Sequence, residues 1–168
     1  MTQSHSVDPR IDPRGPRFAA WVTTAVLVIV LVTGSTVLLA AQAIVFAVGA
    51  FTGLQLHPYG LIYRTFVAPR LDPPTEWEDP APVRFAQGVG VAFAVIGTIG
   101  YATGLTALAL TVTALALGAA FLNAAFALCL GCEIYLRLPA TLRSRRGISA
   151  EPGEVAGSSH GQPGGGDL

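Results

Sequence analysis

The stretch Phe85–Gly131, FAQGVGVAFAVIGTIGYATGLTALALTVTALALGAAFLNAAFALCLG, contains no Asp, Glu, Lys or Arg over 47 residues. A second charge-free stretch, Phe18–Leu56, is 39 residues long. One membrane helix needs about 20 apolar residues, so each stretch is long enough for a hairpin of two helices. The sequence therefore predicts an all-α, polytopic membrane protein with four transmembrane helices.

The amino-acid composition also favours a protein that is embedded in a lipid bilayer. Of its 168 residues, 52% are hydrophobic and 12% are charged, whereas soluble domains carry about 25% charged residues. The ten acidic and ten basic residues balance, which gives no indication of nucleic-acid binding. Ala41-Gln42-Ala43 resembles a signal-peptidase site, but the apolar run continues past it. We therefore expect an uncleaved membrane segment.

Turn and proline signals divide the chain into a membrane domain and two polar tails. We expect a polar N-terminal tail at 1–16, a four-helix membrane domain at 17–143 and a disordered C-terminal tail at 144–168. Within the membrane domain, a polar connection at 64–83 carries five prolines and separates the two hairpins.

Four helices are expected within these limits. The first two are predicted at Phe18–Thr33 and Thr36–Leu56, the second of them limited by Pro58. The third is predicted at Arg84–Tyr101, and the fourth continues from the turn at 102–104 to Leu138.

The arginines predict the orientation in the membrane. All ten basic residues are Arg, and they lie in the N-terminal segment, the middle connection and the C-terminal segment. The two hairpin turns, near residues 34 and 103, have none. The positive-inside rule then predicts a multi-pass protein of the bacterial inner (plasma) membrane, with both termini and the middle connection in the cytoplasm.

The first and second halves of the chain also resemble each other in sequence. Asp12–Ala19 (DPRGPRFA) and Asp79–Ala86 (DPAPVRFA) share Asp, Pro, Arg, Phe and Ala at one constant offset. Thr33-Gly34 and Ile62-Tyr63 have counterparts further along the second half. We therefore predict two parallel repeats, 12–67 and 79–138, each a helical hairpin, related by a pseudo-twofold axis along the membrane normal.

The only two cysteines, Cys129 and Cys132, form a C-L-G-C pair after the last apolar run. Two thiols one helical turn apart can exchange electrons or pass a sulfur atom. The repeat aligns His57 with Cys129, and a protonated imidazole would favour the thiolate. Glu133 can accept a proton, or pair with Arg137 one turn on. The predicted catalytic residues are therefore Cys129, Cys132, His57 and Glu133, with the thiols reduced at rest in the cytoplasm.

Other uses of the cysteines stay open. They can pack a helix, since Cys is small and polarisable, or bind zinc together with His57 and Glu133. The zinc site is disfavoured because His57 has no ligand at the usual spacing, so no metal is predicted. A c-type haem site is excluded because Glu133 stands where histidine is required. No cofactor is expected, although a lipid-soluble quinone can reach thiols at the membrane surface.

Three functions are compatible with these residues. The first is thiol redox or sulfur transfer with a soluble partner. The second is a non-enzymatic membrane anchor that recruits a cytoplasmic redox or sulfurtransferase enzyme through residues 64–83 and the Arg-rich C-terminal end. The third is a transporter of small sulfur species lined by Gln42 and Asn123, which would need a homo-oligomer. Glycines at Gly49/Gly53 and at Gly97, Gly100 and Gly104 are expected to allow close helix packing.

The D-P-x-x-x-R-F-A opening, H-P-Y-G at His57–Gly60 and C-L-G-C-E-I-Y at Cys129–Tyr135 resemble the domain-of-unknown-function 4395 family over Asp12–Leu138. This resemblance implies a small bacterial membrane protein of unassigned activity, whose relatives accompany thioredoxin-like and rhodanese-like proteins. A more distant similarity is to the vitamin K epoxide reductase family, a four-helix bundle with C-x-x-C on its last helix beside a quinone. The present chain has no second cysteine pair.

Overall fold

The computed structural model of the chain describes residues 11–52, 56–74 and 77–139. These residues form helices α1 (Arg14–Thr33), α2 (Thr36–Phe51), α3 (Pro58–Ile62), α4 (Pro80–Ala102), α5 (Thr106–Phe126) and α6 (Leu130–Arg137). A π-helical turn (Tyr63–Val67) and a 3-10 turn (Ala68–Arg70) continue α3. The described part of the chain has no β-strand, so the all-α class is confirmed. The predicted tail at 144–168, residues 1–10 and Gly53 lie outside the described residues.

Three helices have the length and composition to cross a membrane. They are α1 with 20 residues, α4 with 23 and α5 with 21. Helix α2 is apolar but has only 16 residues. Large apolar side chains cover the outer surface: Val32 is 81% exposed and Val37 is 80% exposed. An apolar exterior of this kind fits contact with a lipid bilayer.

Two predicted helix ends are wrong. Helix α2 ends at Phe51 and not at Leu56, with the Thr52 N–H donating to the Val48 carbonyl. Helix α5 ends at Phe126 and not at Leu138, because Ala127 adopts the left-handed conformation with φ 57°. That position usually carries glycine, so no residue type in the sequence marks the end of this helix. The cysteines consequently begin a separate helix, α6.

Two predicted helix starts are late by one turn. Helix α1 begins at Arg14 and α4 at Pro80. Asp79 caps α4 by accepting a hydrogen bond from the Ala81 N–H (2.8 Å), as expected for Asp before a helix. Proline fits the first helical position because its missing N–H has no helical acceptor there.

Small residues let α2 and α4 pack closely in antiparallel directions. A Cβ added at Gly97 would lie 2.8 Å from Leu39 Cδ2, and one at Gly90 would lie 3.1 Å from the ring of Phe46. The predicted close packing is thus confirmed at Gly97. It is also confirmed at Gly100, where an added Cβ would meet the backbone nitrogen of Ala109 at 3.2 Å. The buried core of the bundle consists of Leu27, Val30, Leu39, Phe46 and Ala94.

The segments before α1 and α4 meet at one end of the bundle, which we call the cysteine end. Ile11 and Glu78 exchange two backbone hydrogen bonds, each 2.9 Å long. Tyr63 donates its hydroxyl to Asp12 Oδ2 at 2.8 Å. Helices α3 and α6 lie against α1 and α4 at this end, so it holds the candidate functional residues.

Candidate dithiol site

The two cysteines lie at the N-terminus of α6. Cys129 is the N-cap residue, and its Sγ accepts a hydrogen bond from the Cys132 N–H at 3.3 Å. The two sulfurs are at disulfide-bonding distance, and the Cα atoms are 5.1 Å apart, within the usual range for a disulfide. In the reduced protein, an N–H donor and the positive end of a helix would both favour the thiolate of Cys129 over the thiol.

Gly131 determines how closely α6 approaches α4. A Cβ added at this position would lie 2.6 Å from both the Cα and the Cβ of Ala86. Real Cβ contacts are rarely below 3.0 Å, so only glycine fits without moving α6. The Gly in C-L-G-C therefore has a packing reason: it lets the first turn of α6, with both cysteines, rest on α4.

Both cysteines line an open pocket of about 720 Å³ at the cysteine end. Its walls come from the start of α1, the segment before α4 and the first turn of α4, the end of α5, and α6. The lining residues are Pro13, Pro16, Arg17, Glu78, Asp79, Pro82, Val83, Asn123, Ala127, Leu128, Cys129, Leu130, Cys132, Glu133, Leu136 and Arg137. This volume is in the range that binding sites for small molecules occupy, about 300–1,000 Å³.

Charged side chains from outside α6 also line the pocket, and the sequence did not predict this. Arg17, Glu78 and Asp79 face the same space as the thiols. The sequence identified the Asp-Pro…Arg elements only as parts of a repeat. Asp79 precedes α4 and Arg17 lies in the first turn of α1, and this shared position at the start of a helix is the signal that could have revealed them.

Glu133 pairs with Arg137, as the i,i+4 spacing predicted. The Arg137 Nη2 and Nε atoms lie 2.9 Å and 3.0 Å from Glu133 Oε1. Both side chains are largely exposed, so the pair holds Glu133 only weakly. Glu133 also lines the pocket beside Cys132.

His57 lies in different surroundings from the cysteines. It is 2% exposed, it caps α3 by accepting the Gly60 N–H at Nδ1 (3.4 Å), and its ring packs on Tyr59. It is not among the residues that line the cysteine pocket. Burial lowers the pKa of His57, which opposes the protonated imidazole that the sequence argument required. Joint action of His57 with the thiols stays a prediction.

The two predicted buried amides have separate roles. Gln42 is 2% exposed and accepts the Tyr59 hydroxyl at 2.7 Å, which joins α2 to α3. Asn123 is partly buried and lines the cysteine pocket. Among the described residues, no group of three or more His, Cys, Asp or Glu side chains is placed to hold a metal ion.

Apolar helices of spanning length, together with a cysteine pair at a helix N-terminus, define a membrane-type helical protein with a candidate dithiol site. Residues 11–139 match the family described as "Domain of unknown function (DUF4395)". The match covers most of the chain, so this protein belongs to that family, as its motifs indicated. Searches among curated proteins and among solved structures gave no match.

Proposed function

We propose that the protein is a membrane thiol oxidoreductase in which Cys129 and Cys132 undergo thiol–disulfide exchange with a soluble protein. One observation carries the proposal: the two sulfurs are at bonding distance and both line an open pocket. A pair that only packed a helix would need neither the proximity nor the opening.

The proposed thiol–disulfide exchange has two steps. The Cys129 thiolate attacks one sulfur of the partner's disulfide, forms a mixed disulfide and releases the partner's other sulfur as a thiolate. The Cys132 thiolate then attacks Cys129 Sγ, which closes the Cys129–Cys132 bond and releases the partner as a dithiol. Two electrons pass from this protein to the partner. Cys129 is the attacking residue because its sulfur receives the helix N–H.

Glu133 is the proposed proton acceptor for Cys132. It is the next residue along α6, and its carboxylate lies in the same pocket. An exposed pair with Arg137 does not prevent this role, since such pairs are worth at most about 1 kcal/mol. His57 is proposed as a positioning residue for α3 rather than as a direct participant, because its Nδ1 caps that helix.

We propose further that α1, α2, α4 and α5 cross the bacterial inner membrane with both termini in the cytoplasm. The distribution of the ten arginines supports this orientation, because all of them lie toward the cysteine end or in the terminal segments. The thiols would then face the cytoplasm, where a soluble thioredoxin-like or rhodanese-like protein can reach them.

Several matched contacts support the proposed duplication. Phe18 packs on Tyr63 with ring centroids 5.9 Å apart, and Phe85 packs on Tyr135 at 5.7 Å. The pairs differ by offsets of 67 and 72 residues, the same offsets that align the sequence repeats. Other matched features are the Ile11–Glu78 bridge, the left-handed glycines Gly34 and Gly104, and the N-caps His57 and Cys129.

A redox titration of membrane vesicles tests the proposal. Vesicles are equilibrated in dithiothreitol or glutathione buffers, and free thiols are trapped with a membrane-impermeant maleimide that shifts the protein on a gel. We expect both thiols to disappear together in a two-electron transition between about −300 and −120 mV. Single Cys129→Ser and Cys132→Ser variants should show no such transition. Thiols that stay free throughout this range would contradict the proposal.

The same reagent tests the orientation. Inverted vesicles should be labelled and right-side-out vesicles should not. Labelling only from the outside would refute the cytoplasmic placement of the pair while leaving the redox chemistry intact.

The anchor function is a second candidate because the middle connection exposes large apolar side chains. Phe66 is 60% exposed, Leu71 45% and Trp77 54%. Affinity purification from cells distinguishes the two functions. A partner that is retained by the Cys129→Ser/Cys132→Ser variant and lost from Trp77→Ser favours the anchor. A partner trapped covalently by Cys132→Ser alone favours thiol exchange.

A further inference from the structure

Four polar side chains lie together where α2, α3 and α4 meet, and we call them the polar cluster: Gln42, His57, Tyr59 and Gln87. Gln42 and His57 are each 2% exposed. Tyr59 donates its hydroxyl to Gln42 Oε1 at 2.7 Å, and its ring stands edge-on to that of His57 at 5.4 Å. His57 and Gln87 converge on Gly49, where an added Cβ would lie 2.7 Å from His57 Cδ2 and 3.1 Å from Gln87 Cγ.

Three atoms of the polar cluster are buried without a hydrogen-bond partner. They are Gln42 Nε2, His57 Nε2 and Gln87 Oε1. Because His57 Nδ1 accepts the Gly60 N–H, the neutral ring carries its proton on Nε2. The cluster thus presents two donors and one acceptor. A buried polar group without a partner is unfavourable, so these three atoms indicate a hydrogen-bonding partner that the described side chains do not supply.

The backbone beside the polar cluster points to the same conclusion. With 16 residues, α2 is about 24 Å long, shorter than the hydrocarbon core of about 30 Å. Helix α2 ends at Phe51 and α3 begins at Pro58, and the described residues between them, Thr52, Leu56 and His57, are not helical. Non-helical backbone at membrane depth is tolerated where protein buries it or where water reaches it. His57, which carries one of the unpaired atoms, lies in this non-helical part.

We propose that the polar cluster is a water-binding site, hydrated from the cysteine end and extending inward to Gln42. Water accepts hydrogen bonds from Gln42 Nε2 and His57 Nε2 and donates to Gln87 Oε1, which satisfies all three atoms. Gln42 lies six residues after Thr36, the first residue of α2. It is therefore about 9 Å from the end of α2 that is farther from the cysteines. The site is independent of the thiol chemistry, because it does not include the cysteine pocket.

Cysteine accessibility tests this proposal in the full-length protein. In a Cys129→Ser/Cys132→Ser background, no other cysteine is present, so Gln42→Cys gives a single reporter. Ala41→Cys is the matched control, since Ala41 is the adjacent residue of α2 and lies on its exposed outer side. We expect methyl methanethiosulfonate to modify Gln42→Cys at least about tenfold faster in vesicles, because only a hydrated thiol ionises to the reactive thiolate. Equal rates would overturn the proposal.

A second measurement detects water contact directly in the unsubstituted protein. The chain has three histidines, so ¹⁵N-histidine labelling gives few signals, and the His57 signal is the one lost in His57→Asn. In liposomes, solid-state NMR should detect magnetisation transfer from water to the His57 Nε2–H. An Nε2–H that receives none, while the protein is folded, would show that the site is dry and would refute the inference.

Discussion

Replacement of Gly131 by alanine should separate α6 from α4. The added methyl group would lie 2.6 Å from Ala86 Cα and Cβ, whereas carbon atoms in contact prefer about 3.5–4.0 Å. The obstructing atoms include the backbone of a long helix and not the flexible end of a side chain. Helix α6, which has eight residues, is therefore the element that must move, by about 1 Å.

The cost can be estimated by comparison with Gly88→Ala. Gly88 lies in α4, and a Cβ there would meet no heavy atom within 4 Å. That variant should gain about 1 kcal/mol, because alanine favours a helix over glycine. Gly131→Ala makes a similar helical gain but also overpacks the interface, which typically costs about 1–3 kcal/mol. The difference between the two variants is therefore the overpacking cost.

Two assays report this difference. Thermal unfolding in detergent should give a midpoint several degrees lower for Gly131→Ala than for Gly88→Ala. The redox titration should also change for Gly131→Ala alone, because the displaced helix carries both sulfurs. If Gly131→Ala is as stable as Gly88→Ala and keeps the same titration, α6 does not pack on α4 through Gly131.

Three further predictions concern the rest of the cysteine end. Burial and hydrogen bonding to Asp12 raise the pKa of Tyr63 to about 12, so the unfolding free energy should fall as pH rises above 10; Tyr63→Phe should lose this dependence in thermal unfolding. Burial lowers the pKa of His57, so stability should fall as pH drops below about 6.5, and His57→Asn should abolish that loss in a pH series of unfolding midpoints. If the halves are duplicates, cysteines at His57 and Gly60 should form a disulfide as Cys129 and Cys132 do. The variant His57→Cys/Gly60→Cys, made without the native cysteines, should therefore show this disulfide in mass spectrometry. Thiols that stay free under oxidant would argue against the duplication.

The presence of the helices could be predicted from the sequence, because charge-free runs of 39 and 47 residues leave few alternatives to membrane helices. The residues at which the helices end could not be predicted in the same way. Ala127 adopts a left-handed conformation without being glycine, so the run of apolar residues continues through a helix end that no residue type marks. Helix α2 ends five residues early inside an equally uniform run. Composition predicts that a segment is helical, but in these two runs it does not predict where the helix ends.

The candidate site was predictable to a similar degree. The cysteine pair and the pairing of Glu133 with Arg137 follow from local spacing alone. The pocket around the pair does not, because Arg17 and Asp79 are distant in the sequence and lie beside α6 only in the folded chain. The neutral form of His57 also depends on burial, which a single histidine beside a proline does not reveal.

The N-caps of α3 and α6 show how the proposed duplication would have produced one reactive half and one structural half. His57 Nδ1 accepts the N–H of Gly60, and Cys129 Sγ accepts the N–H of Cys132, in each case three residues on. At the position between them, Tyr59 fills its half with a ring, whereas its counterpart Gly131 lets α6 rest directly on α4. The same backbone device therefore holds a buried, neutral ring in one half and an open dithiol in the other. On this reasoning, the proposed thiol chemistry belongs to the second half, and the proposed role of His57 in the first half is structural.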